Sequence, residues 1–187
     1  MADLDEDLVR EVDGRARTAY AGRAYRHLGP GHPPTSGEGA RIRGGRWNPP
    51  ESFPVVYLGL TTDTVIGEFY RLAERQGMPA ANLLPRRLQE YTVELRAVLD
   101  LREPEAREVL GLTDAAIRSE DPSRCQVVGD AAHYAGFEAI LGPSATGVGD
   151  VLAIFTDRLQ AGSSLEAGKS ELWRELPTDT GGRSAPC

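Results

Sequence analysis

The sequence predicts an α+β fold in a single compact domain. Strand-like and helical segments mix along the chain without the strict alternation of a doubly wound parallel sheet. The 187 residues correspond to about one domain of ordinary size. Hydrophobic residues make up 40% of the chain and charged residues 26%, values near globular averages that exclude a disordered or fibrous protein.

Periodicity and turn residues predict the elements of the first half. Apolar residues at helical spacing predict a helix within residues 4–17, and an aromatic and alanine-rich run predicts a strand over residues 18–28. Glycines and prolines predict a loop over residues 29–45, and long loops in compact domains are often functional. The apolar run at 54–60 predicts a buried strand, and N-cap candidates after it start a helix that reaches about residue 76.

The second half continues the mixture. Alternating apolar residues predict a strand over residues 89–101, and a short helix follows. Ser123 and Gln126 have the spacing of a capping box, so we expect a helix with Ser123 as its N-cap. The short helix after the strand covers residues 103–110. The remaining predictions are strands at 137–141 and 151–156 around a loop at 142–149, and a polar stretch after residue 160.

These elements divide the chain into three expected parts. A helical segment occupies residues 1–23, the main domain occupies 24–160, and a polar extension occupies 161–187. The last ten residues or so of that extension are expected to be flexible, as chain ends commonly are. No internal repeat is visible.

Charge restricts the partners. The net charge of −7 gives no overall positive field, which argues against general binding of nucleic acid. No apolar run approaches the ~20 residues of a membrane helix, and the acidic N-terminus is unlike a secretory signal, so we expect a cytoplasmic protein. Lys169 is the single lysine. The excess of arginine has two explanations, a set of anion-binding forks or a GC-rich coding sequence.

Cysteine and histidine spacing indicates neither a disulfide framework nor a metal site. Cys125 and Cys187 are isolated, without a CxxC pair. The three histidines, His27, His32 and His133, lack the spacing of metal ligands. We therefore predict that the protein holds no metal.

The most unusual segment is RIRGGRWNPP, which brings three arginines, two glycines and an indole close together. Glycines allow close approach of backbone to a ligand, and guanidinium forks bind phosphate oxygens. Arg46, Trp47 and Asn48 therefore become candidates for binding a phosphorylated aromatic ligand. The alternative is an ordinary basic surface loop with a buried tryptophan. The segment lacks the third glycine of a GxGxxG motif, which argues against a dinucleotide-binding Rossmann site.

A carboxylate and two serines are further candidates. Glu68 falls at the rim of the apolar arc of its predicted helix, where a carboxylate can face a cleft and stabilise positive charge. The alternative is an ion pair with Arg71 one turn later. Ser123 is fully explained as an N-cap, and Ser144 in a glycine-rich loop is the second candidate for a binding hydroxyl. Neither serine has the surroundings of a hydrolase nucleophile.

The chain resembles the RES domain, a family named for its Arg, Glu and Ser, in five features. These are Tyr25-Arg26, GEGARIRGGRWNPP, FPVVYLGL, Glu68 on the next helix, and DPSRCQVVGD. The resemblance covers about residues 24–156, and GGRWNPP followed by FPVVYL is its most specific part. Similar proteins are toxins of Xre-RES toxin-antitoxin modules. Their fold looks like that of ADP-ribosyltransferase toxins, with a mixed, twisted central sheet flanked by helices.

The resemblance implies a role for each matching residue. Arg26 and Arg46 would bind the phosphates of the substrate, and Glu68 would be the catalytic carboxylate. Tyr25 and Tyr57 would surround the nicotinamide ribose. Ser123 stands at the family serine, with Ser144 as its competitor, and His27 stands where a relative can carry tyrosine. The full set of candidates comprises Glu68, Arg46 and Ser123 as catalytic residues, and Arg26, Tyr25, His27, Tyr57, Trp47, Asn48 and Ser144 as substrate-binding residues.

The resemblance also implies an activity and a partner. It is strongest to members that degrade NAD+ by phosphorolysis, with phosphate as co-substrate and no bound cofactor. An NAD+ glycohydrolase, a protein ADP-ribosyltransferase and a catalytically silent antitoxin-binding module are the alternatives. A toxin of this kind requires a cognate antitoxin, expected to be a small helix-turn-helix protein that covers the Arg46 loop. The sequence does not determine whether the acceptor is phosphate, water or a protein. It also leaves the oligomeric state open, including a homo-oligomer within the toxin-antitoxin complex.

Overall fold

A computed structural model describes residues 5–178, which contain six strands and six α-helices. None of these helices is long and apolar enough to cross a bilayer. The strands are β1 (Thr18–Leu28), β2 (Val55–Gly59), β3 (Arg86–Asp100), β4 (Ala139–Pro143), β5 (Asp150–Phe155) and β6 (Ser164–Trp173). The helices are α1 (Glu6–Asp13), α2 (Glu38–Arg43), α3 (Thr62–Arg75), α4 (Pro104–Glu108), α5 (Asp114–Arg118) and α6 (Ser123–Tyr134), with a 3₁₀ turn at Ala80–Leu83.

The strands form one mixed sheet in the order β1-β2-β5-β4-β3-β6. Because β1 also pairs along its length with β3, five of the strands make a closed circuit. The described pairing between β1 and β2 consists of one residue pair, Tyr25 opposite Gly59. The β3–β4 pairing is parallel and the other pairings are antiparallel. The predicted α+β class is therefore confirmed.

Apolar side chains pack on both faces of this sheet. One cluster contains residues from each of the strands β1, β2, β3, β4 and β5, with Tyr91 and Ile154 among them. A second cluster lies between the sheet and α1, α5 and α6, with Trp47 and Phe155 among its members. In the third, Phe69 of α3 packs against Trp173 of β6. The second and third clusters hold α6 and α3 in the positions from which they flank the candidate site.

Several predicted elements are confirmed. The predicted strand over residues 18–28 is β1, and the predicted helix to about residue 76 is α3, capped by the Thr61 hydroxyl as it accepts from the Thr64 amide. The loop prediction over residues 29–45 was incomplete, because α2 lies within it. Gly37, at the N-cap of α2, lets the backbone pass close to β2.

The capping-box prediction at Ser123 is wrong. Ser123 is the first residue of α6, Pro122 occupies the N-cap position, and Ser123 makes no side-chain cap. The carboxylate of Asp121 instead accepts hydrogen bonds from both the amide and the hydroxyl of Ser123. An aspartate two residues before an amide forms such a local turn readily, and here it replaces the serine cap.

The polar stretch after residue 160 contributes a strand that the sequence did not indicate. β6 pairs antiparallel with the first half of β3. Most of its residues are exposed, and Trp173 at its end is buried. Because hydrophobic alternation requires one buried face, this strand carries no such pattern. Of the tail predicted to be flexible, residues 179–187 lie outside the described residues.

Candidate functional site

A cleft of about 420 Å³ opens between α3, the β1–β2 junction and the segment leading into β2. Its volume is in the range of small-molecule sites. In a protein of net charge −7, the cleft has a locally positive lining. Its charged residues are the arginines Arg26, Arg43, Arg46, Arg71, Arg75 and Arg86 and the glutamates Glu68 and Glu120.

Seven of the ten predicted site residues line this cleft, and Arg26, Arg46 and Glu68 among them come from a strand, a loop and a helix. Arg26 lies on β1, Arg46 precedes β2, and Glu68 lies on α3. Tyr25 and His27, the neighbours of Arg26, also line the cleft. The arrangement places one carboxylate among several guanidinium groups, which suits a ligand that carries both anionic and cationic parts.

The segment around Arg46 is held by packing and by hydrogen bonds. A side chain on Gly45 would collide with the Tyr57 ring, so only glycine permits the backbone to pass there. Gln126 of α6 donates to the Gly45 carbonyl at 2.9 Å. The Arg46 Nη1 atom donates to the Ser119 carbonyl at 2.8 Å. These contacts fix the position of the Arg46 guanidinium before any ligand binds.

The Tyr57 hydroxyl links two residues of this segment. It accepts from the Trp47 amide and donates to Asn48 Oδ1, both at 2.8 Å. Burial raises the pKa of this phenol, so it keeps its proton. Asn48 is fully buried, donates to the Ala40 carbonyl and does not line the cleft. Trp47 is 1% exposed and belongs to the core that borders the cleft.

We expect Tyr57→Phe to destabilise the fold by about 1–3 kcal/mol, because a buried Trp47 amide and Asn48 oxygen would lose their partner. Chemical denaturation measures the free energy of unfolding. Tyr134→Phe is the matched control, since Tyr134 is exposed. An equal, negligible effect of both substitutions would contradict the bracing role of Tyr57.

Glu68 is oriented by the loop between β4 and β5. The Ser144 hydroxyl donates to Glu68 Oε1 at 2.6 Å. Ser144 is 1% exposed, and its hydroxyl oxygen accepts from the Thr146 amide. The hydroxyl oxygens of Ser144 and Thr146 are 2.7 Å apart. A carboxylate held by a buried hydroxyl keeps a fixed direction, which is a requirement for electrostatic catalysis.

The alternative prediction for Glu68, an ion pair with Arg71, is wrong: among the described residues, these two side chains have other partners. Arg71 donates to the Glu120 carboxylate at 2.7 Å and to the Ala145 carbonyl at 3.2 Å. Glu68 is bound by Ser144 instead. The carboxylate at the cleft is therefore not neutralised by the arginine one turn later.

The two candidate serines, Ser144 and Ser123, differ in their contacts with the cleft. Ser144 contacts Glu68 from behind the cleft wall. Ser123 is exposed and its hydroxyl donates to Asp121; its neighbours Pro122 and Gln126 line the cleft, whereas Ser123 does not. A catalytic role for Ser123 would therefore require it to reach the ligand from the rim.

Burial and mutual repulsion affect the basic groups on the β1 side. Burial lowers the pKa of Arg26 and of Arg86, and the charge of Arg26 lowers that of Arg86 further. Both guanidiniums remain charged at neutral pH. Burial, followed by the charges of Arg86 and Arg26, lowers the pKa of His27 to about 3. His27 is therefore neutral, and its Nδ1 accepts from Arg86 Nε at 3.2 Å.

We expect the neutral state of His27 to make the fold sensitive to acid. The unfolded histidine binds a proton below about pH 6.5, whereas the folded one does so only near pH 3. The stabilisation is complete above pH 6.5 and is lost between pH 6.5 and 3, with a slope of at most ~1.4 kcal/mol per pH unit. His27→Gln should flatten the measured dependence of unfolding free energy on pH in that window. The exposed His32, changed to Gln, is the control, and equal slopes in all three proteins would contradict the expectation.

Sequence reasoning missed several residues of the cleft, among them Arg71, Arg75, Glu120 and Gln126. Arg71 and Arg75 follow Glu68 on the same face of α3, and the 3.6-residue period could have identified them. Glu120 and Gln126 come from the segment before α6 and from α6 itself, and no motif connects them to Glu68. Among residues 5–178, no three His, Cys, Asp or Glu side chains are grouped as a metal ion would require.

The fold and the cleft define a mixed α+β domain with an arginine-rich, enzyme-like site around one fixed carboxylate. The model of the RES domain family matches residues 21–174. The chain therefore belongs to the RES domain family.

Individual relatives agree with this assignment. The chain is 38% identical over 161 residues to proteins named NAD(+) phosphorylase MbcT from Mycobacterium bovis and from Mycobacterium tuberculosis strain H37Rv, covering 85% of this chain and 87% of each relative. It is also similar to a chain in the crystal structure of the M. tuberculosis MbcT-MbcA toxin-antitoxin complex. That match has a TM-score of 0.83 and 35% identity, and covers 91% of this chain and 93% of the other.

Proposed function

We propose that the protein is the toxin of a toxin-antitoxin pair and that it degrades NAD+ by phosphorolysis. The observation that carries the proposal is the meeting of Arg26, Arg46 and Glu68 in one cleft. The names of the relatives, NAD(+) phosphorylase and toxin-antitoxin complex, support the same activity. NAD+ and inorganic phosphate would be the substrates, with no bound cofactor.

The positive lining of the cleft matches the charge of these substrates. The pyrophosphate of NAD+ is dianionic and the acceptor phosphate is itself an anion. Guanidinium forks bind such oxygens in a bidentate manner, which lysine cannot do. We assign Arg26 and Arg46 to the pyrophosphate. An acidic protein can bind both anions because the positive charge is concentrated in the cleft.

Glu68 would stabilise the reacting ribose. When the bond between C1'' and the pyridinium nitrogen breaks, its electron pair goes to the nitrogen, which releases neutral nicotinamide. The ribose carbon becomes oxocarbenium-like, the same problem that glycosidases solve with carboxylates. A carboxylate fixed by Ser144 can stabilise that charge without reorganising during the reaction.

The acceptor completes the reaction. An oxygen lone pair of HPO₄²⁻ forms the new bond to C1'', and the product is ADP-ribose-1''-phosphate. The acceptor retains its proton in this step and releases it later to solvent, so charge and atoms balance without a general base on the protein. The anionic nucleophile and the Glu68 carboxylate must therefore both lie close to C1''.

Other residues have supporting roles in this proposal. Tyr25 lines the cleft and would contact the nicotinamide ribose, whereas Tyr57 and Asn48 would act through the position of the Arg46 segment. Trp47 and His27 border the same cleft and would shape the ligand's surroundings. Ser144 would position Glu68, and Ser123 stays assigned to the family serine by resemblance alone.

We also propose the finer features of the family for this chain. The closed circuit of strands flanked by helices would be a variant of the ADP-ribosyltransferase toxin fold. A helix-turn-helix antitoxin would cover the Arg46 segment and prevent loss of NAD+. Because NAD+ is an intracellular metabolite, the toxin would act in the cytoplasm.

The test is an analysis of products. Purified protein is incubated with NAD+, with and without inorganic phosphate, and the adenine-containing product is identified by its mass. We expect nicotinamide and ADP-ribose-1''-phosphate in the presence of phosphate. ADP-ribose in both samples would indicate a glycohydrolase, and a protein that gains the mass of ADP-ribose would indicate a transferase. No release of nicotinamide under any condition would refute the enzymatic proposal.

A further inference from the structure

Two arginines extend the positive lining of the cleft along α3. Arg71 and Arg75 follow Glu68 by three and seven residues, so the three side chains share one helix face, and all three line the cleft. The Arg71 side chain is 15% exposed, and its Nη1 atom donates to the Ala145 carbonyl at 3.2 Å. Arg71 is therefore a fixed cation near the catalytic carboxylate.

One exposed carboxylate forms ion pairs with both arginines. Glu120 accepts from Arg71 Nη2 at 2.7 Å and lies 3.6 Å from Arg75 Nε, with 69% of its own side chain exposed. Because the Glu120 carboxylate is exposed, water can solvate it when it leaves the arginines, which limits the strength of these ion pairs. A dianion that enters the cleft can replace Glu120 by letting its side chain move into solvent.

We propose that Arg71 and Arg75 bind the acceptor phosphate and that Glu120 occupies their guanidinium groups until phosphate replaces it. This inference rests on the proposed phosphorolysis, and it names the site of the second substrate. Arg26 and Arg46 come from other elements and are left for the pyrophosphate.

The loop between β4 and β5 gives this location a geometric basis. Ser144 binds Glu68, and the next residue, Ala145, binds Arg71. The same loop therefore sets the separation between the carboxylate that stabilises the ribose cation and the cation that binds phosphate. Side chains three residues apart on a helix have Cβ atoms ~5–6 Å apart. The attacking oxygen must approach C1'' to within ~3.5 Å, which a phosphate on Arg71 can do beside Glu68.

The kinetic test separates the two substrates. Initial rates of nicotinamide release are measured against phosphate at saturating NAD+, and against NAD+ at saturating phosphate. We expect Arg71→Gln to raise the phosphate KM roughly 10- to 100-fold and to change the NAD+ KM less than about threefold. Glu120→Gln should lower the phosphate KM, because the competing carboxylate is gone. Arg10→Gln and Asp7→Asn, which alter an exposed ion pair on α1, are the matched controls.

A binding measurement tests the site without turnover. Inorganic phosphate alone should raise the melting temperature of the wild type but not that of Arg71→Gln. If Arg71→Gln does not fold, Arg71→Lys keeps the charge without the fork and should give an intermediate phosphate KM. An unchanged phosphate KM in the Arg71 and Glu120 variants would overturn the inference, as would an equal rise of both KM values. NAD+ cleavage independent of phosphate, combined with stabilisation by phosphate that requires Arg71, would refute phosphorolysis and leave the anion site standing.

Discussion

Glu68→Gln is expected to reduce the cleavage of NAD+ about 10²- to 10³-fold while the protein remains folded. The amide keeps the size of the carboxylate and an oxygen that can still accept from Ser144. It loses the negative charge that would stabilise the ribose cation. The effect should therefore appear in kcat, with a smaller effect on the NAD+ KM, and it is measured as release of nicotinamide.

The control for this variant lies on the same helix. Glu74→Gln removes a carboxylate that is exposed and does not line the cleft. We expect this variant to keep its activity, and both variants to unfold near the wild-type temperature. Nearly unchanged turnover in Glu68→Gln would contradict the catalytic assignment of Glu68.

Gly129→Ala is expected to destabilise the fold by about 3 kcal/mol, at the upper end of what overpacking commonly causes. Gly129 lies where α6 crosses the backbone of Trp47, and an added methyl group would overlap the Trp47 carbonyl oxygen and lie 2.6 Å from its carbon. Neither backbone can yield easily, because Trp47 is buried in the core. The melting temperature should fall by roughly 6–12 °C for a chain of this size.

The same substitution should also impair NAD+ cleavage. Arg46 precedes Trp47 directly, so a shift of the Trp47 backbone moves the guanidinium that we assign to pyrophosphate. Gly31→Ala is the matched control, because a methyl group on Gly31 would meet nothing within 4 Å. A stability close to the wild type in Gly129→Ala would refute the tight packing of α6 on this segment.

The sequence predicted the elements that have a buried face. β2 is buried at four of its five positions, and α3 carries an apolar arc, so both leave a periodic signal. The exposed strand β6 leaves none, and its position depends on pairing with β3, which is distant in sequence. The start of α6 was predicted to within one residue, but its capping was not, because Asp121 accepts from the Ser123 amide and hydroxyl and Ser123 makes no cap.

The site was predictable only in part for a related reason. Arg26, Arg46 and Glu68 lie on a strand, a loop and a helix that no local period relates, and the resemblance to the RES family brought them together before the structure did. The contact of Ser144 with Glu68 joins residues 76 positions apart and has no local sequence signal. Arg71 and Arg75, by contrast, follow from helical geometry once Glu68 is placed.

The meeting of β1 with β2 at Tyr25 and Gly59 has a mechanical consequence. Both residues line the cleft. The strand pairing with the fewest residue pairs in the circuit therefore lies where the ligand would bind. A dinucleotide that contacts Arg26 on one strand and the Arg46 segment beside the other would bridge that junction. Ligand binding would therefore make the junction between β1 and β2 more rigid. Without the ligand, that junction depends on the single residue pair of Tyr25 and Gly59.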